Sequence, residues 1–331
     1  MEKKNRICAY KGDPVVPGVN KKKNGINFAV EVPGDTEASL VLYRKGAAEP
    51  ETEFPFTEEY RTGRMCAMLV TGLRPERYEY NFRIDGKIVQ DPFACVIRGR
   101  EKFGAPLSKD EHEVRCAFLS EKEYDWEGDT APEIPYSEMI LYKIHVRGYT
   151  RQAKLALRKR GTFAGLTEMI PYWKELGINA VELMPAYEFQ ECVQADYAVN
   201  LAVRKKSDDR INYWGYTRGF YFAPKESYCA TKEPDREFRD MIRALHKAGI
   251  ECIMEMYFPK GTPSLQMIRS LWFWKLYYHV DGFHLLGDGV QQDVIEHDPI
   301  LYGTKKLFSN VSGEAGAENM LAEYNAGFML D

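Results

Sequence analysis

Long apolar runs, paired cysteine motifs and an excess of basic residues are all missing from this 331-residue chain. No apolar stretch approaches the roughly 20 residues needed to span a bilayer. The N-terminal MEKKNRICAYKGDPVVPG is charged and lacks the apolar core of a secretory signal, so the expectation is a cytoplasmic protein with no membrane partner. Lys and Arg total 45 against 49 Asp and Glu, a net charge of −4, which gives no clustered basic surface for a nucleic acid. The seven cysteines include no CxxC pair, so neither a zinc site nor a redox motif is expected, and the thiols read as reduced and mostly buried. GDGVQQD (287–293) follows a strand but is not a phosphate-cradling glycine loop. With no Asp-rich calcium loop either, no metal and no cofactor is expected.

What is present is ordinary globular composition, 44% hydrophobic and 28% charged, in a length that suits two domains. The first hundred residues read as β. GINFAVEVPG (25–34), ASLVLYRKG (38–46) and MCAMLVTGL (65–73) are short, rich in Val, Leu and aromatics, and end in turn residues. In YEYNFRIDGKIVQDPF (78–93), Asp85-Gly86 marks a hairpin because both positions tolerate positive φ. The spacing predicts an immunoglobulin-like β-sandwich over 1–104. None of the five tryptophans precedes Trp126, which weakens any sugar-stacking role for that module. A Pro- and Gly-bearing linker is expected over 105–136.

Beyond the linker the pattern changes. MILYKIHV (139–146) and INAVELMP (178–185) read as strands buried on both faces. Between them TFAGLTEMIPYWKELG (162–177) carries a helical apolar stripe closed by Gly177. The unit recurs as DREFRDMIRALHKAG (235–249) with IECIMEMYF (250–258), then as a helix over 263–279 with VDGFHLL (280–286), and KKLFSN (305–310) is a weaker strand. Repeated βα units imply a parallel sheet, either doubly wound or a (β/α) barrel.

ILYKIHVRGYT (140–150), GTFAGLTEMIPYWKELGINAVELMPAYEF (161–189), NYWGYTRGFYFAPKESY (212–228), EFRDMIRALHKAGIECIMEMYF (237–258) and YHVDGF (278–283) resemble glycoside hydrolase family 13, the α-amylase family. The likeness is to its isoamylase, pullulanase and glycogen-debranching members. The first hundred residues, with RGREKFG (98–104), resemble carbohydrate-binding module family 48. The resemblance implies a (β/α)8 barrel begun over 137–331, with a site at the C-terminal ends of its strands. It also implies an α-glucan such as glycogen, starch or a maltooligosaccharide as ligand.

The catalytic positions of this resemblance are replaced. Retaining glycosidases need two carboxylates, one nucleophile and one acid. Leu286 stands where the fourth-strand aspartate nucleophile belongs, and His284 where its arginine neighbour belongs. On the third strand the supporting Asp and His positions hold Glu255 and Lys260, and the cleft loop that follows shrinks to Gly261-Thr262-Pro263. The fifth-strand acid position falls on Ser309 or Asn310, with Glu314 the nearest carboxylate. Asp288, Asp293 and Glu296 read as a solvated loop, Asp281 as structural, and His145 as a hydrogen-bonded barrel residue. Tyr216 matches the family's sugar-stacking aromatic, and Trp214 beside it leans towards packing.

Five strands do not close a barrel, and 323–331 resembles a family segment well before closure. The expectation is therefore a piece of a longer protein rather than a truncated gene. Functionally, the expectation is a catalytically inert relative of debranching enzymes, a glucan-binding or regulatory partner of an active homologue. The alternatives are an active glucan hydrolase or transferase with relocated carboxylates, and a structural remnant that binds nothing.

Overall fold

The computed structural model describes residues 6–105, 110–120, 122–192 and 211–309. Asn310, Glu314 and the segment 323–331 lie outside the described residues. The chain divides into two compact units, Met1–Glu101 with Leu107–Glu123, and Lys102–Pro106 with Tyr124–Asp331.

The first unit is a sandwich of two antiparallel sheets. One orders Cys8–Lys11, Met65–Thr71, Gly25–Glu31 and Gly18–Lys22; the other orders Val96–Arg98, Arg115–Ala117, Tyr78–Ile84, Ala38–Arg44 and Thr52–Pro55. Alternating apolar positions from both sheets, among them Phe28, Leu40, Leu42, Met68, Val70 and Phe82, are buried. Phe28 meets Tyr80 edge-on at 5.2 Å, and Tyr80 lies 5.3 Å from Phe118. The Asp85-Gly86 hairpin forms as expected, with φ of 51° and 71°. The stretch expected as a linker is partly structural: Arg115–Ala117 is a paired strand. Within it, the Arg115 guanidinium donates to the carbonyls of Ala47 and Ala48 at 2.7 Å each. Three of the seven thiols are buried and four half-buried, and none is in a disulfide.

Among the described residues, the second unit holds five parallel strands, β1 (Leu141–Ile144), β2 (Ala180–Leu183), β3 (Glu251–Tyr257), β4 (Gly282–Leu286) and β5 (Lys305–Ser309). They lie side by side in sequence order. A doubly wound sheet reverses direction at a switch point, whereas unbroken sequential order belongs to a barrel wall. The two faces of this wall are chemically distinct. Val181, Leu183, Cys252, Met254, Met256, Phe283 and Leu285 alternate onto one buried face. The helices α3 (Pro234–Lys247) and α4 (Ser264–Tyr278) bury a matching set, Phe238, Met241, Ile242 and Leu245 on α3 and Leu271, Trp274 and Tyr278 on α4. The opposite face carries Lys143, Glu182, Glu255, His284 and Ser309.

The expected helix over 162–177 is instead two short ones, α1 (Phe163–Thr167) and α2 (Ile170–Glu175). Pro171 has no N–H to return to the carbonyl four residues earlier, so one continuous helix cannot pass through it. Both α2 and α3 end on a left-handed glycine. Gly177 and Gly249 have φ of 77° and 75°, and the N–H of the following isoleucine returns to the carbonyl of Trp173 or Leu245 at 3.0 Å. The α4 terminus uses His279 in the same role, with φ of 57°.

That choice joins two histidines to one carboxylate. His279 stacks on Trp126 at 3.7 Å and its Nδ1 lies 2.9 Å from Asp129 Oδ2. His246, from the last turn of α3, sits between Asp129 and Asp281, with contacts of 2.9 and 3.0 Å. Asp281 also accepts the Cys252 N–H at 2.7 Å, so it is structural, as expected. Burial disfavours the His246 imidazolium, but Asp281 and Asp129 outweigh burial and raise its pKa. The stabilisation is complete below about 6.5, the ordinary histidine value. It fades as pH rises through the raised value. His246→Leu leaves two buried carboxylates unbridged, an expected loss of about 3–5 kcal/mol at pH 6 that shrinks towards pH 9, measured by urea unfolding.

Candidate functional site

Register brings the polar inner-face residues together. Lys143 pairs with Glu182 across β1 and β2, Glu255 with His284 across β3 and β4, and Leu286 with Ser309 across β4 and β5. Lys143 and Glu182 each interrupt an otherwise apolar strand, and both, like Ser309, fall within the last two residues of their strands, where barrel sites form.

The side chains make one continuous network. Lys143 Nζ lies 3.4 Å from Glu182 Oε1 and in direct contact with Glu255 Oε1. The Tyr216 hydroxyl donates to Glu255 Oε2 at 2.7 Å. His284 Nδ1 lies 2.8 Å from Glu182 Oε1, and His284 Nε2 lies 2.6 Å from Ser309 Oγ. The side chain of Glu255 is fully buried and that of Glu182 is 4% exposed. Burial pushes the Glu255 carboxyl up to about 8, and the hydrogen bond with Glu182 adds to it. Burial acts on Glu182 in the same direction, but hydrogen bonds from His284 and Glu255 outweigh it and bring its carboxyl down to about 2. Two buried carboxyls in contact share one proton: Glu255 keeps it and Glu182 carries the charge.

One ligand atom from each of Glu182, Glu255 and His284 falls within 4.8 Å of the others, a spacing that fits a metal ion. The Lys143 ammonium already lies against both carboxyls and supplies the positive charge that such an ion would bring.

Leu286 is fully buried and packs with Tyr257 and Tyr216, so the position expected for a nucleophile is part of an apolar plug. Tyr216 is presented by an antiparallel pair, Tyr187–Phe189 with Gly219–Pro224. The turn before it needs Gly215, at φ 85°, because a Cβ there would meet the Phe189 ring at 2.5 Å. Fully buried Lys225 anchors this pair through Glu188 at 3.0 Å and Glu191 at 2.8 Å. Trp214 packs edge-on against His145 at 5.5 Å and Tyr213 at 5.3 Å. His145 accepts the Gly148 N–H on Nδ1 at 2.9 Å, so Nε2 carries the proton towards the Tyr213 carbonyl, 2.9 Å away. Burial lowers its pKa to about 4, and it is a neutral structural residue.

Lys260 is exposed in the turn after β3, and Asp288, Asp293 and Glu296 are exposed. Lys143 and Glu182 were missed as site residues by sequence reasoning. The available signal was a single charge inside each of the apolar runs MILYKIHV and INAVELMP.

No family profile matches the chain. Isoamylase 1 from Arabidopsis thaliana chloroplasts is 30% identical over 282 residues, which is 77% of this chain and 35% of that protein. A glycogen operon protein GlgX homolog from Haemophilus influenzae is 31% identical over 281 residues, 77% of this chain and 40% of that protein. The catalytic module of pneumococcal SpuA, described as glycogen-degrading, superposes with a TM-score of 0.64 at 18% identity, covering 91% of this chain and 51% of that one. The chain belongs to the α-amylase family, among its debranching-like members. It spans roughly two-fifths or less of these curated relatives.

The Glu255 proton makes the stability of this chain depend on pH. A carboxyl raised from its ordinary value stabilises the fold fully below about 4.3 and loses that contribution as pH rises. Here the loss runs through about 8. Glu255→Gln holds the neutral form at every pH, so its thermal midpoint is expected to fall less than wild type between pH 6 and 9 in calorimetric scans.

Proposed function

We propose that this chain is an α-glucan-binding member of its family that does not cleave glycosidic bonds, and that it acts as a binding or regulatory partner. One observation carries the reading. The carboxyls nearest the expected reaction centre, Glu182 and Glu255, hydrogen-bond to each other and to Lys143, buried in the barrel wall. A retaining glycosidase needs its two carboxyls about 5–5.5 Å apart across a sugar. A pair in mutual contact leaves no room for the bond to be cut.

The split of these two carboxyls, one near 8 and one near 2, favours the second reading, relocated acid and nucleophile. Geometry outweighs it, because a fully buried carboxyl reaches no glycosidic oxygen. For glucan binding, the half-buried Tyr216 ring beside Leu286 and Tyr257 offers an apolar platform for a sugar face. Structural neighbours support the ligand class: a Paenibacillus barengoltzii pullulanase, at 20% identity and TM-score 0.60, was solved with maltohexaose and α-cyclodextrin.

The test follows reducing-end release from pullulan and glycogen beside a retardation gel containing the same glucans. The expected outcome is retarded migration without release, with Tyr216→Ala weakening retention about tenfold, the equivalent of about 1.4 kcal/mol. Release above a Glu255→Ala control overturns inertness, and unretarded migration overturns binding.

A further inference from the structure

We propose that Ser309, His284 and Glu182 form a serine–histidine–carboxylate catalytic site for hydrolysing small carboxylic esters, an activity separate from the family's glycoside chemistry. The three groups sit on β5, β4 and β2, with Ser309 the last residue of its strand. Ser309 Oγ lies 2.6 Å from His284 Nε2, and His284 Nδ1 lies 2.8 Å from Glu182 Oε1. A nucleophilic hydroxyl, a base and an orienting acid within hydrogen-bond reach is the arrangement that acyl transfer requires, whatever the fold.

Burial runs in the productive direction. Glu182 is 4% exposed at the side chain, His284 is 13% exposed, and Ser309 is half-buried at the strand's end. The acid is enclosed and the nucleophile reaches the surface. Protonation is also set. Ionised Glu182 holds the imidazole proton on Nδ1, which leaves the Nε2 lone pair free to accept from the Ser309 hydroxyl. Lys143, 3.4 Å from the same Glu182 oxygen, is a positioning residue that keeps the carboxylate charged.

The step balances without any added group. Ser309 Oγ forms a bond to the ester carbonyl carbon as its proton passes to His284 Nε2. Collapse breaks the carbon–alkoxy bond, and the leaving alcohol takes that proton. Water then attacks the acyl-serine, giving its proton to His284, and Ser309 recovers it as the carboxylic acid departs.

The test treats the full chain with a fluorophosphonate, which forms a Ser–O–P bond and releases fluoride, and locates the adduct by peptide mass mapping. p-Nitrophenyl acetate hydrolysis is followed in parallel. The expected result is one adduct, on Ser309, absent in Ser309→Ala and formed about 100-fold more slowly in His284→Gln. Because Ser309→Ala removes a strand-end hydrogen bond, Ser309→Cys is the second variant. Its new thiol is expected to alkylate with iodoacetamide at least tenfold faster than any native cysteine, and to lose that advantage when His284→Gln is added. No adduct, or adducts scattered over other serines, overturns the proposal. So does a Ser309 adduct that forms equally fast without His284. Labelling and glucan retention are separate readouts, so either reading can fail alone.

Discussion

Two carboxyl groups face each other inside the barrel wall, and the rest of the inner face is arranged around their charge. An isolated pair of buried anions would be strongly destabilising, so one proton and one ammonium must share the space. Glu255 holds the proton, Lys143 brings the positive charge from β1, and His284 satisfies Glu182 from β4. This need for neutralisation explains why Lys143 and His284, on different strands, both reach Glu182. It also explains why Tyr216, reaching in from the neighbouring antiparallel pair, ends on a carboxyl rather than in open solvent.

The same constraint links fold to function. Polar groups that satisfy one another are poorly placed to engage a glycosidic bond, and the apolar contact among Leu286, Tyr257 and Tyr216 covers the remaining floor. At the far end of the network Ser309 is half-buried at the end of β5. In the proposed reading, a barrel wall whose carboxyls pair internally holds a sugar against an aromatic ring. It can also keep a nucleophile at its edge.

Much of the architecture was legible in the sequence. The glycine–isoleucine pairs after α2 and α3 mark the helix ends because only a residue at ease with positive φ lets the next N–H turn back. The third repeat hides this signal, since His279 takes the left-handed position and Asp129 and Trp126 hold it there. Pro171 was visible inside the stripe over 162–177, yet the stripe masked the break, because apolar spacing persists across two helices that pack on one surface. The site was legible at Glu255, His284, Leu286 and Ser309 through resemblance alone. Lys143 and Glu182 escaped because near-continuous apolar runs suggest two buried faces, whereas a barrel wall has one greasy face and one that tolerates paired charge.

The most direct measurement is a long-range 1H–15N correlation spectrum of the protein with labelled histidine, His284 being assigned by His284→Gln. The account predicts an imidazole with its proton fixed on Nδ1 and a bare Nε2. A proton on Nε2, or averaging between the two tautomers as in a free imidazole, contradicts an ionised Glu182 at the centre of the network.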